Sequence, residues 1–390
     1  MDSSNPTSSS NPIDSTNSNN SGLYVHIPFC LSKCHYCDFY STTSVSVVPD
    51  YLRALLEEME MYRDRFNLFD TVYIGGGTPS LLSPRDLGSI LETISECFHL
   101  LPDPEITIEA NPADVDPFFL ESIRRRGINR INIGIQSFDE HVLSFLGRRH
   151  SVKQAFSAVE ESRKAGFENV GVDLIYGIPG QDFNSWLNSL RQALVLSPEH
   201  ISCYQLTLEP NTPLGRKYKS GELAIPGEEL QYQFFMRTSE FLRDAGYIHY
   251  EVSNFAREEV YRSRHNQKYW DHSPYLGLGP SAHSFLENRR WWNHRSLDRY
   301  LALISAGNLP VEETEILTLK QLQLEAVYLG LRTKKGVALQ DLKKFYDYDL
   351  LTEKRKILER LEEEGFISIE NGYLHPTHSG LAIADSLSLI

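Results

Sequence analysis

Residues 23–40 read LYVHIPFCLSKCHYCDFY, with Cys30, Cys34 and Cys37 at Cys-x3-Cys-x2-Cys spacing. The apolar run 23–29 predicts a strand that stops where the cysteines begin. The chain holds 5 cysteines in all, so Cys97 and Cys203 are the only others. Thiols concentrated in one loop point to a bound group. A structural zinc needs four ligands, and His35, on a short tether between two of the cysteines, is the nearest candidate for the fourth. A four-iron cluster takes one ligand per iron, so three cysteines leave one iron open to a small molecule. Disulfides fit poorly, because the total is odd and no secretory segment is read ahead of the loop. An inert loop is the last alternative. The spacing favours the cluster.

The flanks extend the pattern to Tyr-x-His-x-Pro-x-Cys-x3-Cys-x2-Cys, from Tyr24 to Cys37. This resembles the cluster motif of the radical S-adenosylmethionine (SAM) superfamily, and more narrowly the oxygen-independent coproporphyrinogen III oxidase group. The resemblance implies a [4Fe-4S] cluster whose open iron is chelated by the amino and carboxylate groups of SAM. Further matches run from about residue 23 to about residue 283.

Outward from the loop, strand and helix patterns alternate. Strands are predicted at 71–74, 105–108, 130–135, 170–175 and 200–206. Helices are predicted at 50–66, 84–98, 117–126, in segments up to 165, and at 183–196. Cys97 extends the apolar face of its helix and reads as a core residue. Six strand–helix units in a row imply a parallel sheet with helices outside it. A complete barrel needs eight units, and the resemblance selects a partial (β/α)6 barrel. In such folds ligands sit at the carboxyl ends of the strands. The residues at those ends are the cysteine loop, Gly75-Gly76-Gly77-Thr78-Pro79, Glu109, Gln136, Asp173 and Thr207. Loops are polar anyway, which accounts for Thr207, but a carboxylate inside Val-Asp-Leu-Ile is poorly explained that way.

The residue types suggest tasks. Glycines let backbone approach a ligand, although three alone more often mark a turn. Glu109 and Asp173 can accept hydrogen bonds from ribose hydroxyls, and Tyr36 can stack on adenine. The resemblance implies SAM contacts from Tyr24, Tyr36, Gly76, Gly77, Thr78, Glu109, Gln136, Arg148 and Asp173. Arg149 is adjacent to Arg148, and an arginine at a helix end is commonly just solvated.

Beyond the barrel a helix is predicted at 226–245 and a strand at 247–252, followed by Arg264-His265-Asn266-Gln267-Lys268-Tyr269-Trp270. The histidine can pack an aromatic corner with its imidazole satisfied by hydrogen bonds, or it can give an axial nitrogen to haem iron. His-Asn-x-x-Tyr-Trp resembles the signature of the haem chaperone branch of the group, the HemW-type proteins. That resemblance implies His265 as the haem ligand, with His283 and His26 next. Phe39 stands where the oxidases carry a further cysteine, and the Ser/Asn-rich start replaces their ordered extension.

From residue 318 the composition changes. Helices at 319–331, 339–346 and 351–364 precede a hairpin of 366–369 and 373–375 around Asn371-Gly372. Helices followed by a hairpin resemble a winged helix. The unit's 10 Lys and Arg against 11 Asp and Glu favour a docking or lid role over DNA binding. The expected division is a Ser/Asn-rich disordered tail at 1–22, the radical SAM unit at 23–225, a family-specific extension at 226–317 and the terminal unit at 318–390.

Net charge is −14, with 38 Lys and Arg against 52 Asp and Glu, which argues against a nucleic-acid partner. No apolar run is long enough to span a membrane, which leaves only peripheral association open. The tail lacks the basic start and apolar core of a signal, and the Arg of a transit peptide. A cytoplasmic location is expected, or an organelle matrix if the tail is a truncated leader. The functional expectation is a haem chaperone with a cluster and exchangeable SAM, an unknown haem-acceptor protein as partner, and a homodimer left open. No catalytic residue is assigned. The rivals are coproporphyrinogen III oxidative decarboxylation in porphyrin biosynthesis and a zinc-organised binding module.

Overall fold

Alternation along six strands decides what each face of the central sheet meets. The computed structural model of the protein describes residues 20–66 and 68–387. Most of the predicted tail lies outside the described residues, while Ser21 and Gly22, assigned to it, open the first strand instead. The strands β1 (Ser21–Ile27), β2 (Phe69–Gly76), β3 (Leu100–Ala110), β4 (Arg130–Gln136), β5 (Val170–Tyr176) and β6 (His200–Gln205) lie side by side in chain order. All five pairings between them are parallel. The chain returns through α1 (Val48–Met61), α2 (Pro84–Cys97), α3 (Pro117–Arg125), the pair α4 (Glu140–Leu146) and α5 (Val152–Lys164), and α6 (Phe183–Val195). Parallel neighbours need such crossovers. The expected strands are present, and β3 is the most extended, because Leu100 already pairs with Phe69 ahead of the apolar run.

Leu23, Val25, Ile74, Ile133, Val172 and Ile201 share one buried core with Leu55, Ile90, Ile123, Val159 and Leu190 of the helices. Burying each such side chain contributes roughly 1.5–3 kcal/mol. Cys97 and Cys203 belong to this core. Register puts the intervening residues on the other face, where Tyr24 pairs with Tyr73, Tyr73 with Thr107, Glu109 with Asn132, and Gly134 with Asp173. Polar groups of five strands thereby meet on one surface.

The central sheet does not close. After α7 (Pro213–Lys219) and α8 (Glu228–Asp244), β7 (Ile248–His249) and β8 (Asn254–Ala256) add to the β6 edge. The single strand expected over 247–252 is thus two short ones, and Asn254 rather than Val252 joins β6. Then follow α9 (Arg264–Trp270), β9 (Tyr275–Leu278), β10 (His283–Leu286), β11 (Arg289–Asn293), α10 (Leu297–Ser305) and β12 (Val311–Ile316). β9 runs parallel to β1 and the remaining strands continue antiparallel, giving a twelve-stranded sheet. Glu58 of α1 ties this edge down. It accepts hydrogen bonds from Gly279 N (2.7 Å), Asn293 Nδ2 (2.6 Å) and the Tyr300 hydroxyl (2.7 Å).

The terminal unit comprises α11 (Leu319–Gly330), β13 (Val337–Ala338), α12 (Leu339–Tyr346), α13 (Leu350–Glu353), α14 (Arg355–Glu363), β14 (Ile367–Glu370) and β15 (Tyr373–Pro376). The helix expected over 351–364 is interrupted at Lys354, between α13 and α14. Asn371 and Gly372 both take positive φ, 52° and 82°, as a two-residue hairpin turn of this kind requires. The unit has its own small core and meets the rest through His272, whose ring nitrogens contact Glu325 (3.1 Å) and the Tyr346 hydroxyl (3.2 Å). Among the described residues no helix is long and apolar enough to cross a membrane.

Candidate cofactor cavity and adjoining aromatic cleft

The carboxyl ends of β1–β6 open into a cavity of about 610 Å³. Cys30, Cys34 and Cys37 line one wall, and Gly76, Gly77, Thr78, Glu109, Gln136, Arg148, Asp173 and Tyr36 line it as well. The structure therefore brings together every residue expected at the site except Tyr24 and His265.

The cysteine loop is held from outside. Cys30 N donates to Thr42 O (3.0 Å) and His35 N to Leu146 O (2.9 Å). The His35 ring contacts the Phe145 carbonyl through Nδ1 (2.9 Å), and it packs where a Cβ on Gly147 would meet it at 2.9 Å. His35 thus fastens the loop to α4 instead of turning toward the cysteines. Two side chains donate to the sulfurs. Thr78 Oγ1 reaches Cys30 Sγ at 3.4 Å, and Arg148 Nη1 reaches Cys34 Sγ at 3.3 Å. Arg148 is pinned by a second bond to Gly134 O (2.6 Å), which fixes a cation beside a prospective thiolate ligand.

The acids sit opposite. Glu109 accepts from the Tyr73 hydroxyl (2.8 Å) and from Gly76 N (3.0 Å). Burial, opposed by these donors, pushes its pKa up to about 7. Asp173 accepts from Asn132 Nδ2 through Oδ2 (2.6 Å), while Oδ1 is buried with no hydrogen-bond partner among the described residues. Burial raises its pKa too. A buried carboxylate oxygen left unpaired at the edge of a cavity suits a ligand hydroxyl. The glycine run serves packing first. A Cβ on Gly77 would stand 2.7 Å from the Phe29 carbonyl, so this residue lets β2 close onto the end of β1.

Asn132, Tyr73 and Tyr204 also belong here, and the sequence reading passed over them. Asn132 had a signal, because it is the polar position in the alternating run Ile131-Asn132-Ile133.

Tyr24 faces a second cleft of about 340 Å³, walled also by Phe39, Tyr40, Tyr269, Tyr275 and His283, with Arg295 on its lining. Its register partner Tyr73 occupies the space between it and Glu109, which keeps Tyr24 out of the first cavity. Asp38 and Phe39 line both spaces. His265 reaches neither. It is 1% exposed, its Nδ1 contacts Thr71 Oγ1 (2.9 Å), and its Nε2 contacts the Tyr269 hydroxyl (2.9 Å). Its ring stacks on Tyr73 with centroids 5.1 Å apart, and burial pushes its pKa down to about 3. The expected haem ligand is thus satisfied within the core, and the rest of its motif spreads outward. Tyr269 walls the cleft, and Trp270 lies under Arg332 of the terminal unit.

Comparison with known proteins completes the picture. The Radical SAM superfamily profile matches residues 24–193, and the HemN C-terminal domain matches residues 317–383. The chain is 36% identical over 372 residues to the heme chaperone HemW of Mycobacterium tuberculosis, covering 94% of this chain and 93% of that protein. It belongs to the HemW family. A second relative of this chain is radical S-adenosyl methionine domain-containing protein 1, mitochondrial, of Bos taurus. That protein is 34% identical over 393 residues, with 95% of this chain and 87% of the relative covered. Among solved structures, the coproporphyrinogen III oxidase HemN of Escherichia coli superposes with a TM-score of 0.82. At 23% identity, over 95% of this chain and 89% of that one, it shows a shared fold.

Proposed function

We propose that this protein is a haem chaperone that carries a [4Fe-4S] cluster on Cys30, Cys34 and Cys37 and binds SAM at the open iron. In this reading β1–β6 are a partial (β/α)6 barrel. The units are 23–225 for cluster and SAM, 226–317 for haem, and 318–390 as a winged-helix-like docking module. One observation carries the proposal: three cysteines, the buried Glu109 and the partly unsatisfied Asp173 share one cavity; the resemblance adds that Phe39 stands where the oxidases carry a further cysteine. Among the described residues no three of His, Cys, Asp and Glu converge as they would on a single ion. A structural zinc needs a fourth ligand, and His35, the nearest candidate, is held on the Phe145 carbonyl (2.9 Å), so three thiolates suit a cubane with an open iron better than zinc.

When bound, the cluster supplies an iron site for the amino and carboxylate groups of SAM and an electron at low potential. The protein supplies position. Tyr36 offers a ring to the adenine, Asp173 Oδ1 an acceptor to the ribose, and Arg148 a positive charge beside the Cys34 sulfur. The HemW names of the relatives support haem as cargo.

The test is anaerobic reconstitution of wild type and Cys34→Ala, followed by iron analysis, haem titration and assay of coproporphyrinogen III decarboxylation. Wild type is expected to hold about four irons, take up haem and leave the porphyrinogen intact, while the variant loses iron. Full iron retention by Cys34→Ala refutes the cluster assignment, and porphyrinogen turnover by wild type returns the oxidase reading.

A further inference from the structure

Three histidines stand near the aromatic cleft, and their hydrogen bonds separate them. His265 has both ring nitrogens engaged, as described. His26 does as well: Nδ1 meets the Tyr24 hydroxyl at 3.0 Å and Nε2 meets the Tyr40 carbonyl at 2.9 Å. Burial holds the His26 pKa at about 4. His283 differs. It opens β10, its side chain is exposed, and its ring nitrogens have no hydrogen-bond partner among the described residues. It is not loose. The ring stacks on Trp292 with centroids 5.6 Å apart and planes 27° apart. Its backbone carbonyl also lies against Gly277, where a Cβ would come within 2.1 Å.

The cleft around it has the chemistry of a planar, largely apolar ligand with an anionic edge. Tyr24, Phe39, Tyr40, Tyr269 and Tyr275 present aromatic surface. Phe39 is 71% exposed on this lining, so its ring is free to stack on a flat ligand. Arg295 lies on the lining, its side chain 58% exposed; one Nη donates to the Asp38 carbonyl (3.0 Å) and stands 3.8 Å from the Asp38 carboxylate, which leaves the other donors of the exposed guanidinium for a ligand carboxylate.

We infer that this cleft is the haem seat, with His283 as the axial ligand to the iron, the ring of Phe39 against the macrocycle and Arg295 on a propionate. The inference rests on the haem chaperone reading and replaces His265 as the ligand. His265 then acts as a positioning residue that sets the Tyr269 ring from behind through the 2.9 Å bond. Partial burial and the nearby Arg290 push the His283 pKa down, so the imidazole is neutral and able to ligate at pH 7. The open cleft leaves one face of the macrocycle accessible, which suits a carrier that must hand its cargo on.

The experiment is a difference-spectrum titration of reconstituted protein with hemin, for wild type, His283→Ala and Arg295→Ala. His283→Ala is expected to lose about tenfold or more in affinity and to shift the Soret band, with free imidazole restoring the wild-type spectrum. Arg295→Ala should bind more weakly with the wild-type band position. An unchanged band and affinity in His283→Ala overturns the ligand assignment, and so does a loss that imidazole leaves unrepaired. Failure of wild type to bind hemin overturns the chaperone reading itself. Retained iron content in His283→Ala excludes misfolding as the cause.

Discussion

At the scale of single residues, the site divides into groups satisfied by the protein and groups left for a ligand. Asp173 is the sharpest example of the second kind, with one oxygen on Asn132 and the other unpaired. Asp173→Asn keeps the size and reverses what faces the cavity. A hydrogen bond to a charged group is worth roughly 1.5–3 kcal/mol, so SAM affinity of the reconstituted variant should fall roughly tenfold to a hundredfold in calorimetric titration at pH 8. Unchanged affinity would detach Asp173 from the nucleoside. The cysteines and Asp173 were legible in the sequence because each is an unlikely residue for its local pattern: three thiols in one loop, and a carboxylate in an apolar strand. His265 shows the opposite case. Its motif is conspicuous, but its partners Thr71 and Glu105 come from β2 and β3, far away along the chain. No local pattern announces that a histidine is already satisfied.

At the scale of elements, the six parallel strands were readable because a two-residue alternation and a helical period distinguish them cleanly. The edges were not. β7, β8 and β9 have two to four residues each, too few to show a period, and their places depend on pairing with β6 and β1. The contact between the ends of β1 and β2 invites a test. Gly77 N donates to Ile27 O (2.8 Å), and an added methyl would crowd two carbonyls of the β1 end. Gly77→Ala should cost about 1–3 kcal/mol by overpacking. It should also lower iron content, since the cysteine loop begins three residues after Ile27. A melting temperature and iron load equal to wild type would show that β2 can shift without disturbing the loop.

At the scale of the whole molecule, the extension is anchored to the first helix through an acid with no cation beside it among the described residues. Glu58 is wholly buried, and burial pushes its pKa up to about 7 despite three donors. The folded state therefore binds more protons than the unfolded chain between about pH 4.5 and 7, and this residue's contribution to stability falls as pH rises through that window. The full effect is of order 3 kcal/mol. Glu58→Gln, neutral at every pH, should melt below wild type at pH 5 and lose much of that deficit by pH 8. A deficit constant with pH would show that Glu58 stays charged. Buried histidines act the other way. His26, His249 and His265, held at about 4, 3 and 3, add stability as pH rises toward 6.5, so they set the acid limit while the glutamates set the alkaline one. Last, the cofactor cavity and the aromatic cleft share a wall of two consecutive residues, Asp38 and Phe39. Two sites that share a wall cannot fill independently if filling either one moves it. Thermodynamic linkage then demands reciprocity: whatever factor SAM imposes on haem affinity, haem must impose on SAM affinity. Load and release become two readings of one coupling energy, held in a dipeptide that touches both.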